Sequence, residues 1–86
     1  MSTASRALVE LLGRMPRPFS PAAERAEWLR DKARVFELIA TDYDVEAAAG
    51  SELAEREAER SRQAAVEARQ RAEQVTSLAG LGGEQQ

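Results

Sequence analysis

The side chains whose types and spacing could do chemistry fall into two groups. In "DYDVE", Asp42, Asp44 and Glu46 alternate with other residues. Alternating carboxylates suit a calcium or magnesium loop, but that loop needs glycine at its sixth position and a carboxylate at its twelfth. Counted from Asp42, those positions hold Ala47 and Leu53. The carboxylates are therefore read as turn and helix-cap groups, and no metal is expected. In "RMPRPFSP" and just beyond it, Arg14, Arg17 and Arg25 could grip phosphate. Arginines near a helix N-terminus suit anions, and a proline-stiffened arm can lie along a nucleic-acid groove. Only Phe19 lies close enough to stack on a base, whereas stacking surfaces use several aromatics. The elbow is also longer and richer in proline than the turn of a helix-turn-helix. A nucleic-acid-associated regulator using Arg14, Arg17 and Arg25 is thus the alternative reading.

Catalytic groups are scarce. The chain has no histidine and no cysteine, which removes the usual neutral-pH base, the commonest metal ligands and any disulfide. Its single lysine, Lys32, reads as a surface charge. "GLGG", residues 80–83, follows a helix and lacks the spacing of a dinucleotide fingerprint. No enzyme activity, catalytic residue or cofactor is expected.

A chain of 86 residues is read as a single domain. Its net charge of −3 is uneven. Residues 1–40 carry seven basic and five acidic side chains, and residues 41–86 carry five and ten, so the two parts are +2 and −5. That is not the strong basic excess of a dedicated nucleic-acid binder. The apolar stretch from Ala7 to Leu12 is too short for a secretory signal. No run approaches the roughly 20 residues of a membrane span. The first helix is amphipathic but has only Arg6 and Arg14 as cations, fewer than an interfacial helix shows. A cytoplasmic protein without membrane contact is expected.

The elements that must position these groups are all helical. Apolar residues at Ala4, Ala7, Leu8, Leu11, Leu12 and Met15 predict a helix over about 4–15, ended by "PRP". Ser20 as N-cap and Pro21 at the first helical position predict a second helix over 21–41. Its stripe of Ala22, Ala26, Leu29, Ala33, Phe36 and Ala40 is flanked by Trp28, Val35 and Ile39. "TDYD" is read as the turn, with Asp44 capping a third helix over 44–79. Gly50 inside that helix costs ~1 kcal/mol relative to alanine, so a break there with Ser51 capping a fresh start is the alternative. Gly80 predicts the stop, and residues 80–86 a flexible tail. Residues 1–79 would then be one helical domain.

From Ala47 to Ala79 small residues recur in alternating steps of four and three: Ser51, Ala54, Ala58, Ser61, Ala65, Ala68, Ala72 and Val75 lie between. Such a seam is the signature of a coiled coil or helical bundle. It predicts an all-α fold: a short N-terminal helix, a proline elbow, and a long antiparallel helical hairpin with an Ala-rich heptad seam. Trp28, Leu29, Phe36 and Ile39 are expected to be the large knobs that fill the small seam. With these lengths the third helix outruns the second, about 54 Å against about 31 Å. The excess must be covered by the first helix or by another chain. Together these features predict a non-enzymatic interaction or oligomerisation module, a small regulator or adaptor that captures a partner helix. Its partners would be a second copy, most simply in a homodimer, or another protein. Its packing and interface residues would be Trp28, Leu29, Phe36, Ile39, Ala54, Ala58, Ala65, Ala68, Ala72 and Val75.

Overall fold

A computed structural model describes residues 3–84. Three helices follow in order: α1 (Thr3–Gly13), α2 (Ala22–Ala48) and α3 (Glu52–Glu84). No strand occurs among the described residues. The helices α2 and α3 form an antiparallel hairpin, and α1 packs on the other side of α2. Among the described residues α1 does not touch α3, so α2 is the middle of a row. The Cα envelope is correspondingly long and thin, 56 × 21 × 14 Å.

The hairpin turn lies at Ala49–Gly50–Ser51 and not at "TDYD". Gly50 has φ +104°, the left-handed region that only glycine adopts without strain. It stands just past the end of α2, where its N–H donates to the Ala47 carbonyl at 2.9 Å and the Ser51 N–H to the Glu46 carbonyl at 3.4 Å. These are the two bonds of a Schellman ending, which satisfies carbonyls the helix leaves free. Ser51 then starts α3 at once: its Oγ accepts the Ala54 N–H at 3.1 Å. Glu52 and Glu55 occupy the first turn, where the helix dipole favours negative charge.

"TDYD" instead continues α2. Thr41 donates its hydroxyl to the Glu37 carbonyl at 3.0 Å, a bond that a helix accommodates. Asp44 caps nothing; it pairs across the hairpin with Arg62. Two sequence repeats run through this stretch and outweigh the local turn chemistry. Alanine recurs every seven residues at 26, 33, 40 and 47, and Leu29, Phe36 and Tyr43 do so beside it. Moving the turn makes α2 27 residues and α3 33 residues, so the expected length mismatch largely disappears.

The start of α2 also differs. Pro21, not Ser20, is the N-cap residue, with φ −51° and ψ 146°. Ser20 closes the elbow instead, its Oγ accepting the Arg17 N–H at 2.9 Å. At the far end α3 carries Gly80 in helical conformation and runs to Glu84. Glycine weakens a helix without forbidding it. The remainder of the expected tail, residues 85–86, lies outside the described residues, as do residues 1–2.

The seam between α2 and α3 is built from methyl groups. Ala54, Ala58, Ala65, Ala68 and Ala72 are buried, as are Ala26, Ala33 and Ala40 opposite. Small meets small: Ala33, Ala65 and Ala68 form one cluster, and Phe36 packs against its side. Ser61 is buried in the same seam, and no buried side-chain polar atom among the described residues lacks a partner.

Candidate interaction face

Large side chains of α2 serve different neighbours than the sequence reading assigned. Trp28 does not enter the α3 seam. Its Nε1–H donates at 2.9 Å to the Leu11 carbonyl in the last turn of α1, which also accepts the Arg14 N–H at 3.1 Å. Leu11 is the largest fully buried side chain among the described residues. Lys32, one turn along from Trp28, holds its ammonium 5.8 Å from the indole centroid, within cation–π range. Ile39 faces Ala4, Ser5 and Leu8 of α1. Leu29 and Phe36 border the α3 seam from one side, and Trp28 reaches only the rim of the groove that Val75 and Leu78 line. Val75 is half-buried near its far end.

The row of helices has two faces, and they differ in chemistry. On one, the α2 positions 30, 34, 37, 41 and 44 follow helical spacing of four and three. Arg30 donates to Thr76 Oγ1 at 3.3 Å, Glu37 pairs with Arg69, and Asp44 pairs with Arg62, all across the hairpin. Asp31, at the adjoining edge, accepts from both Arg14 (3.3 Å) and Arg34. Asp44 hydrogen-bonds the Arg62 guanidinium and raises its pKa, with a further coulombic contribution from the same carboxylate and from Glu59. The Glu52–Arg56 and Glu67–Arg71 spacings, which suit helix pairs, are not among the pairs formed among the described residues; α3 sends Arg62 and Arg69 to α2 instead.

On the opposite face α2 shows Arg25, Leu29, Lys32, Phe36, Ile39, Tyr43 and Glu46, again at steps of four and three. The first six are half-buried. Three grooves are strung along this stripe. The first joins Met15, Arg25 and Leu29 to Arg71, Val75 and Leu78. A central one shares Leu29, Arg71 and Gln74 with it and adds Lys32, Phe36 and Glu67. The third lies against α1, with Leu8, Ile39, Asp42, Tyr43, Val45 and Glu46. Leu12 falls between Leu8 and Met15 by helical spacing and is 54% exposed; Met15 is 56% and Leu78 69% exposed. These side chains close no gap in the fold.

The three elbow arginines are not gathered into one patch. Arg14 sits over Asp31 in a groove that also holds Glu24 and Glu27. Arg25 lies across the elbow, its Nε donating to the Ser20 carbonyl at 3.0 Å, beside Arg71. Arg17 is exposed. Nor do the "DYDVE" carboxylates converge: Asp42 and Glu46 line the α1 groove, whereas Asp44 turns to Arg62 on the other face. No cluster of three potential metal-ligating side chains occurs among the described residues.

Among the described residues no helix is long and apolar enough to cross a membrane. Comparison with protein-family models, with curated proteins and with solved structures finds no match to this chain. Its class is defined by the architecture alone, an all-α helical hairpin with a third helix laid along its outer edge.

Sequence reasoning missed the role of Trp28 and the split between the faces. Both have a signal. Positions 28, 35 and 39 form a stripe on α2 distinct from 26, 33 and 40, and two stripes on one helix mean two neighbours.

Proposed function

We propose that this protein is a non-enzymatic cytoplasmic interaction module, a small regulator or adaptor whose apolar face is covered by another polypeptide. The observation that carries this reading is the asymmetry of the two faces. One edge of the hairpin is closed by ion pairs, and the other leaves Leu12, Met15 and Leu78 open beside half-buried Leu29, Phe36 and Tyr43. Contiguous apolar surface rimmed by charge is what contact sites present. The absence of histidine and cysteine supports a role without catalysis, and the absence of cysteine suits a reducing compartment. The nucleic-acid alternative is weaker, because Arg14 is paired with Asp31 beside Glu24 and Glu27 and lies apart from Arg25.

A chain without native cysteine allows a direct test. Single cysteines are placed at Leu78 on the apolar face and at Val66 on the ion-paired face, and their maleimide labelling is compared in cells and in dilute purified protein. The expected outcome is protection of Leu78→Cys in cells and equal labelling of Val66→Cys in both settings. Equal labelling of Leu78→Cys in cells and in dilute solution would refute the reading.

A further inference from the structure

We propose that the occupant of the apolar face is a second copy of this chain, turned end over end about a twofold axis passing near Phe36. This inference rests on the interaction reading above and names its partner. The argument is the distribution of charge along the stripe. One end of the face is basic: Arg25 and Arg71 share a groove with Met15, Leu29 and Leu78. The other end is acidic: Asp42 and Glu46 share a groove with Leu8, Tyr43 and Val45. Both ends keep apolar walls of similar make. Between them Lys32 and Glu67, opposite in sign, occupy the same central groove.

A twofold interface uses one patch twice, so whatever residue i meets in the partner, the partner's residue meets i. Pairing the stripe with itself antiparallel sets Arg25 opposite Glu46 and Leu29 opposite Tyr43, with Phe36 opposite Phe36 of the second copy. The acidic groove then lies on the basic groove at both ends. A parallel arrangement would set like charge on like charge at both ends of the face, which is disfavoured. The surface is thus complementary to itself in one direction only, and it buries the apolar residues that the monomer leaves uncovered.

The test uses two charge-reversed chains. The first carries Arg25→Glu and Arg71→Glu; the second carries Asp42→Lys and Glu46→Lys. The unaltered chain should sediment as a dimer at about 100 μM, and each variant alone should lose affinity by about a hundredfold or more. In an equimolar mixture both contacts are again between opposite charges, so a heterodimer should form with near-original affinity. Arg71→Glu and Glu46→Lys as single changes, both at exposed positions, should give the same pattern, with circular dichroism as the check that helix content is kept. A wild-type chain monomeric at about 1 mM overturns the proposal, as do variants that dimerise unimpaired or a mixture that stays monomeric. Protection of Leu78→Cys in purified protein should also rise with its own concentration. If that cysteine is protected in cells but not by concentrating the pure chain, the twofold partner is wrong and the interaction reading stands.

Discussion

Toward α3, α2 presents Ala26, Ala33 and Ala40; toward α1 it presents Trp28, Val35 and Ile39. The first contact is long and made mainly of single methyl groups, with Phe36 at its side; the second is short and made of large side chains. Each alanine contributes little apolar area, so the hairpin gains by repetition along helices of 27 and 33 residues. The 11 residues of α1 cannot repeat anything for long. They hold on by Leu11, 1% exposed, and by the indole hydrogen bond at their C-terminal turn. A packing contact can thus be distributed or concentrated, and the two kinds should fail differently.

Leu11→Ala strikes the concentrated contact. Truncating a fully buried leucine costs about 2–5 kcal/mol. Because α1 touches only α2 among the described residues, the loss should appear as undocking of α1 while the hairpin stays helical. Trp28 is the only tryptophan, so its emission reports α1 directly. A red-shifted spectrum with helix content largely kept is the expected result. Loss of all helix content at once would instead join the two contacts into one cooperative core. Ala65→Leu strikes the distributed contact from the opposite direction. Ala65 is buried in one cluster with Ala33 and Ala68, so a leucine there must push the two helices apart, and overpacking of this kind costs about 1–3 kcal/mol. The denaturation midpoint should fall while Trp28 emission in the native baseline is unchanged.

Most of this architecture was legible in the sequence for a physical reason. Alternating steps of four and three from Ala54 to Ala72 can be satisfied only by a helix with one buried edge, and those alanines are buried. What was not legible is where two valid signals competed. "TDYD" has good turn residues, and Gly50–Ser51 has better ones, since a Schellman ending followed by a serine cap satisfies both helix ends in three residues. The deciding signal was nonlocal: Ala47 and Tyr43 continue seven-residue repeats that begin at Ala26 and Leu29. Trp28 was misplaced because a large side chain next to a small-residue seam suggests a knob, whereas its ring nitrogen needs an acceptor that an alanine seam does not offer. The charge gradient from Arg25 to Glu46 needed the position of α1 and α3 before it became a property of one face.

The turn gives the next smaller effects. Gly50→Ala meets no atom within 4 Å, so space is not the obstacle; its φ of +104° is. A left-handed conformation costs a residue with a β-carbon roughly 1–2 kcal/mol. Ser51→Ala removes the cap on the Ala54 N–H and should cost about 1 kcal/mol. Both sharpen the comparison, because they should destabilise the hairpin and leave the α1–α2 contact untouched in Trp28 emission. Either change that released α1 first would show that the distributed contact controls the concentrated one.

The smallest effect belongs to the ion-paired face. Asp44→Ala leaves Arg62 without its partner, yet both side chains are 47% exposed, and water and salt supply most of what the carboxylate gave. At about 0.15 M salt the melting midpoint should not move measurably. Neither should a pH titration near neutrality reveal the pair through Arg62. A cation whose folded pKa is raised adds stability below its unfolded value and loses that contribution only as pH climbs through the folded one. Arg62 is raised by Asp44, so this window lies above the ordinary arginine range and the guanidinium stays charged throughout. A clear drop in midpoint for Asp44→Ala would mean that charge, and not the methyl seam alone, fixes the hairpin. The ion-paired edge would then share in holding α2 to α3, and the open apolar edge opposite would be the side on which the fold is weakest.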